Sequence, residues 1–215
     1  MTDSMENIKL TIKDEVLAEL EKSGTTVIKT NYDGFEELAK ILNRFDKYMN
    51  KYNAEVDRVT KRYSNEIRLE KIHELDVDLQ GEKSWIGIEL NSIVEKEAKS
   101  KKEAIAENLK SPSYKEARRE AIDILSKFGS KLDVETTMEL LKPLIEAKDR
   151  LILKALKQTC NNDTRYLYVS AINKIEEYLN TQHLEICIRE ARNYLSRPKQ
   201  GKSLILESAI HKYKK

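Results

Sequence analysis

The stretch FEELAKILNRFDKYMNKYNAEVDRVTKRY, residues 35–63, carries an apolar or aromatic residue at Phe35, Leu38, Leu42, Phe45, Met49, Tyr52, Val56, Val59 and Tyr63. The steps alternate three and four without a miss. This is the a/d pattern of a heptad repeat sustained over four repeats, the signature of left-handed helix–helix packing. Asp33 precedes the seam as an N-cap, with Glu36 three residues on in a capping-box arrangement. After Tyr63 the next apolar residue is Ile67, so two steps of four fall together and the supercoil should locally unwind. Ile72 and Leu75 continue the apolar side, which predicts a helix of about 60 Å from Asp33 to about Leu75 at a rise of 1.5 Å per residue. A strict two-position stripe is narrower than a globular core face needs. The expectation is that a return helix covers part of the seam and that a protein partner, or a second copy of the chain, packs on the rest.

The remainder of the 215 residues agrees with an all-α reading. Only 6 Gly and 3 Pro serve the whole chain, and 35% of residues are charged against 40% aliphatic or aromatic. Few turn-formers with many Glu, Lys, Leu, Ala and Ile describe long, charged helices. Ile12, Val16 and Leu20 predict a first helix over about 11–22, ended by Ser23-Gly24, and TTVIKT after it is a short strand or an extended linker. Gln80-Gly81 marks a break. Residues 76–90 then form either a small hairpin or a turn leading into a helix through Leu90, Ile93, Val94 and Ala98, and the helical spacing favours the second. Residues 96–110 continue as an exposed helix returning antiparallel to the first long one.

From Ser111 the signals are sharper. Ser111 or Ser113 caps a helix with Pro112 in its first turn and Gly129 past its end, burying Tyr114, Ala117, Ala121, Ile124 and Phe128 with Leu125 beside them. Asp133 caps the next, through Met138, Leu141, Ile145, Ile152 and Ala155, with a kink at Pro143. Asp163 opens a helix through Tyr168, Ile172, Ile175 and Leu179. Thr181 with Glu185 opens another through Leu184, Ile188, Ala191 and Leu195, which Arg197-Pro198 stops. SLILESAIHKYKK ends the chain as a short amphipathic helix. The organisation expected is an N-terminal helix and linker (1–30), a long antiparallel, coiled-coil-like helical hairpin (31–110), a smaller helical bundle (111–197) and a basic tail helix (198–215).

No apolar run approaches the roughly 18 residues that span a bilayer. MTDSMENIKL lacks the order of a secretory signal, and two cysteines do not make a disulfide framework. A cytoplasmic chain with reduced thiols and no membrane contact is expected. No motif implies a cofactor. His183 and Cys187 stand four apart on a helix, yet two ligands do not close a zinc site, and the expectation is a surface His and a core Cys. Asp76 and Asp78 are a weak magnesium pair, more economically read as capping acids. The Gly-Lys-Ser of RPKQGKS lacks both the first glycine of a phosphate loop and a preceding strand. The metal expectation is therefore none. Tyr48, Tyr52, Tyr63, Tyr166 and Tyr168 beside basic residues are either base-stacking platforms or core rings with wet hydroxyls, and helical spacing favours the core.

Charge is the strongest functional signal. The net charge is +2, but residues 189–215 hold eight Lys or Arg (Arg189, Arg192, Arg197, Lys199, Lys202, Lys212, Lys214 and Lys215) against two acids. That is an electrostatic footprint for nucleic acid or for an acidic protein. The leading functional expectation is a non-enzymatic interaction or assembly protein. The first alternative is a nucleic-acid-binding accessory using these cations.

Two resemblances add to this reading. Arg68 and His73, in RLEKIH, resemble the R-x4-H ribonuclease motif of the all-helical HEPN superfamily, which implies metal-independent RNA cleavage as the second alternative, with these two residues catalytic. That family usually has a polar residue straight after the Arg, where this chain has Leu69, and five residues along a helix set two side chains about 140° apart. Residues 26–67 resemble a helical family of unknown function encoded by phages and integrated elements of Gram-positive bacteria. The shared features are a β-branched lead-in, a polar cap, then a long helix with Leu42-Asn43 and the pairs Lys47-Tyr48, Lys51-Tyr52 and Arg62-Tyr63. The family's proline after the Tyr is missing here. The resemblance covers about a fifth of the chain. It implies a phage or mobile-element accessory protein and brings no catalytic residues.

Overall fold

The structure, a computed structural model, describes residues 32–213 together with Ala18 and Thr30. Apart from Ala18, the expected helix over 11–22 lies outside the described residues, as do most of TTVIKT, Lys214 and Lys215. Among the described residues every regular element is helical and there is no strand, so the fold class is all-α.

Helix α1 spans Gly34–Arg62. Asp33 caps it: one carboxylate oxygen accepts from the backbone N–H of Phe35 and of Glu36. The expected continuation to Leu75 does not occur. Tyr63 is extended, with φ −117° and ψ 153°, and α2 starts afresh at Asn65. The double step of four after Tyr63 is thus a chain reversal, not an unwound stretch of one helix. Ser64-Asn65, residues that favour caps over helix interiors, supplies the local reason.

Helix α2, Asn65–Asn108, is the long one, at 44 residues. It runs straight through Gln80-Gly81, so neither a break nor a hairpin forms over 76–90. A glycine in a helix interior costs only about 1 kcal/mol, whereas Leu79, Ile86, Leu90 and Ile93 on either side of Gly81 and Gly87 are all buried in one core. Burial of four large side chains outweighs that local cost. The two helices run antiparallel, as their polar links descend in order. The Gly34 N–H donates to Glu97 Oε2 at 2.9 Å, Arg44 pairs with Glu89 and Glu82, and the Tyr52 hydroxyl donates to Asp76 Oδ1 at 2.5 Å.

The later elements are α3 (Pro112–Phe128), α4 (Val134–Glu146), α5 (Arg150–Leu156), α6 (Arg165–Leu179), α7 (Gln182–Ser196) and α8 (Leu204–Ile210), with 3-10 turns at Pro198–Gln200 and His211–Tyr213. Ser111, Asp133 and Ser203 cap α3, α4 and α8 through their side chains, and the thread of amide hydrogen bonds onto Asp133 holds its carboxyl below the usual range. Pro143 lies inside α4, which runs on past it to Glu146. The helix ends a turn later, at Ala147-Lys148-Asp149, and α5 begins anew. Thr164, not Asp163, is the first residue of the α6 cap, with Asn161 Oδ1 accepting from its backbone N–H and hydroxyl. Phe128, expected in the core, is 52% exposed.

The chain forms two compact units. Among the described residues, one comprises 32–99 and 181–213; the other comprises Ser100–Asn180. The first is centred on Leu38, Leu42, Phe45, Ile86, Leu90 and Ile93 with Leu184, Cys187 and Leu206, and the second on Leu125, Leu141, Leu144, Ile145, Leu167 and Tyr168. Helix α7, grouped by sequence with residues 111–179, therefore shares its core with α1 and α2 instead.

Candidate functional site

The nine seam residues are not one open surface. Leu38, Leu42 and Phe45 are fully buried, Met49 is buried, and Phe35 is half-buried. They meet Leu79, Ile86, Leu90 and Ile93 of α2, and on their other side α7 and α8 through Leu184, Cys187, Ile188, Ala191, Leu195, Leu206 and Ile210. The place expected for a partner is taken, over this half, by the chain's own C-terminal helices. Farther along, Val59 is buried and Tyr52, Val56 and Tyr63 are half-buried.

An apolar surface lies elsewhere. At about 100° per residue, the buried residues Leu79, Ile86, Leu90 and Ile93 fall within one narrow arc of α2. Val77, Gly81, Trp85 and Ile88 fall on the opposite side. Val77 is 57% exposed, Trp85 59% and Ile88 61%. A methyl group placed on Gly81 would meet nothing within 4 Å. The spacing of four, four and three was present in the sequence. It becomes one continuous stripe only when Gln80-Gly81 is helical, as it is in α2.

The C-terminal cations are divided by the fold. Lys202, whose side chain is only 11% exposed, donates from Nζ to Asp46 Oδ2 at 2.6 Å and stands 4.5 Å over the Tyr194 ring. Its charge is committed to the core edge. Arg192 donates to Asn91 Oδ1, and the Lys212 ammonium lies over Tyr213. Arg189, Arg197 and Lys199 remain exposed on the surface of the same unit.

Arg68 and His73 both lie on α2. The Arg68 guanidinium donates to Asn65 Oδ1 at 2.5 Å, and His73 is exposed. Their separation of five on a regular helix keeps them on different faces. The His183 ring packs at 5.4 Å from the Phe35 ring, while Cys187 is fully buried and its thiol is pushed up by that burial. Among the described residues no group of three or more His, Cys, Asp or Glu is placed to hold a metal ion. Nor is any helix among them long and apolar enough to cross a membrane.

The tyrosines act as cross-links. Tyr52 donates to Asp76, Tyr114 to Asp149 at 2.5 Å, Tyr194 to Asp46 at 2.7 Å, and Tyr213 to Asp33. Each pair joins positions far apart in sequence, and each ring packs against a core. The most polar interior spot is the α4–α5 corner. Asp149 is buried and accepts from the Tyr114 hydroxyl, from Arg118 Nε at 3.2 Å and from the Ile152 amide. Tyr114 and Arg118 hold α3 to that corner and the Ile152 amide is the N-cap bond of α5, so the carboxylate has a structural role.

No family model matches the chain, and neither a curated protein nor a solved structure matches it.

Proposed function

We propose that the chain is a non-catalytic helical interaction protein, an assembly component that engages another polypeptide through the outer face of α2. The observation that supports this is the exposure of Val77, Trp85 and Ile88 on one side of a helix whose other side is already in the core. A helix apolar on both faces is normally covered on both, and contiguous exposed apolar surface marks interaction sites. The resemblance of residues 26–67 to a phage-encoded helical family supports placing that assembly in a phage or mobile element. The test is a photo-crosslinking residue at position 88 in living cells, with one at the exposed Glu116 as control. Crosslinks to polypeptide from position 88 and none from 116 support the reading; equal or absent crosslinking sinks it.

A second reading is nucleic-acid contact, supported by the exposure of Arg189, Arg197 and Lys199 in one unit. With Tyr194 and Tyr213 committed to carboxylates, the chemistry offered is phosphate contact without base stacking. Fluorescence anisotropy with labelled DNA and RNA tests it: affinity falling steeply with salt is expected, and no binding at low salt ends it.

A further inference from the structure

The outer face of α2 carries its charges and its apolar residues at matched distances from Trp85. Trp85 sits at its middle. Eleven residues before it is Glu74, and eleven residues after it is Lys96. Eleven residues are about three helical turns, so both side chains lie on the same flank of the helix as Trp85. Both are exposed, and neither is engaged in an ion pair among the described residues. Gly81 lies four residues before Trp85 and Ile88 three after it, again on one face.

A two-fold axis through Trp85, perpendicular to the helix, exchanges these positions. It brings Glu74 of one copy opposite Lys96 of the other, twice. It also sets each Ile88 beside the other copy's Gly81, where a methyl group would meet nothing in this chain and where a glycine otherwise only weakens the helix. The two indoles approach each other at the centre. A parallel pairing places Glu74 against Glu74 and Lys96 against Lys96, and puts no side chain into the glycine gap. The geometry points to a homodimer formed by antiparallel, isologous pairing of α2 on its outer face, centred on Trp85. This inference rests on the interaction role proposed above and names a second copy of this chain as the occupant.

Trp85 is the only tryptophan, so its emission reports the interface directly. The experiment is analytical ultracentrifugation of the full chain over a wide concentration range, with emission spectra of the same samples. Expected are a mass near twice 25.0 kDa and an emission maximum that moves to shorter wavelength as the dimer forms. Ile88→Glu, at an exposed position, gives single-chain mass while the chain still unfolds cooperatively, its melting temperature no longer rising with concentration. Glu74→Lys weakens dimerisation at least ten-fold, and adding Lys96→Glu to it restores the affinity. Single-chain mass at every concentration with water-exposed Trp emission overturns the inference. So does a dimer indifferent to Ile88→Glu, or one that the double charge exchange does not rescue. If position 88 crosslinks to a different polypeptide while the purified chain stays single, the interaction role stands and self-pairing fails.

Discussion

Lys148 places its ammonium 4.7 Å from the centroid of the Tyr178 ring while its own backbone is in the left-handed region, with φ 59°. The two facts are connected. Helix α4 closes with both hydrogen bonds of a Schellman turn: the Lys148 N–H donates to the Ile145 carbonyl and the Asp149 N–H to that of Leu144. The position past the end of such a helix belongs to glycine, because a side chain in that conformation costs about 1 kcal/mol or more. Here a lysine occupies it and is 3% exposed. Burial pushes its amine below the usual range, and the ring face offers the ammonium a partner that needs no water. The stem and head of Lys148 are thus held in exchange for a strained backbone.

The first prediction separates these contributions. Lys148→Ala loses the stem and the ring contact while keeping the strain. Lys148→Gly loses the same contacts and releases it. Glycine should therefore be the more stable of the two by about 1 kcal/mol, the reverse of the order in a helix interior. Urea midpoints of the two variants decide it, and an alanine variant as stable as the glycine one refutes the account.

The second prediction concerns the seam. Leu42 is fully buried among α1, α2 and α7. Leu42→Ala should cost about 2–5 kcal/mol, as for other core leucines. Leu42→Lys should unfold its unit by burying an uncompensated charge. If the seam were instead a detachable interface, Leu42→Lys would lower the mass in solution and leave the melting curve alone. Light scattering together with thermal melting distinguishes the two.

That contrast also marks how far the sequence could be read. The 3–4 alternation from Phe35 to Tyr63 identified α1 and its buried face, and Asp33, Ser111 and Asp133 marked helix starts because a capping side chain acts on its own nearest amides. What covered α1 was not legible. Leu184, Ile188 and Ala191 are more than 140 residues from Leu42 in the chain, and their spacing says only that α7 has an apolar face. Gly81 misled for a related reason: its cost is local and visible, whereas the burial of Leu79 and Ile86 that overrides it is tertiary. Treating Gly81 as helical joins Val77 to Trp85 and Ile88 and exposes the outer stripe. The break at Ala147-Lys148-Asp149 carried no warning, since Lys is not a turn former and Pro143 drew attention to the wrong residue.

A third prediction follows from the Tyr–Asp pairs. The hydrogen bond to Asp76, with burial, pushes the Tyr52 phenol up to about 12. Burial and Asp46 raise Tyr194, and burial and Asp149 raise Tyr114 further still. In the unfolded chain each phenol loses its proton near pH 10. The folded state therefore binds more protons than the unfolded one above that pH. The stabilisation is complete below about pH 10 and is lost as pH rises through about 12 and beyond. Tyr114→Phe should cost about 1.5–3 kcal/mol at neutral pH, as for a hydrogen bond to a charged group, and should flatten the alkaline fall. Urea unfolding from pH 8 to 11 measures both, and an alkaline slope unchanged in the Phe variant contradicts the assignment.

The last prediction tests the junction at which α1, α2 and α7 meet. Gly34 opens α1, and its N–H donates to the buried carboxylate of Glu97. A Cβ built there would stand 2.6 Å from Leu184 Cδ2 and 3.1 Å from Ile93 Cγ2. Its backbone is helical, so alanine is excluded by space and not by conformation. Gly34→Ala should destabilise the unit by about 1–3 kcal/mol, the usual penalty of overpacking, even though alanine is the better helix former. Leu184→Ala alone costs about 2–5 kcal/mol through the cavity it leaves. In the double variant the new methyl group occupies part of that cavity, so the two costs should fall short of their sum by at least 0.5 kcal/mol. A double-mutant cycle by denaturant unfolding reads that coupling directly. Strict additivity would show that Gly34 and Leu184 do not touch, and would place α7 away from the start of α1.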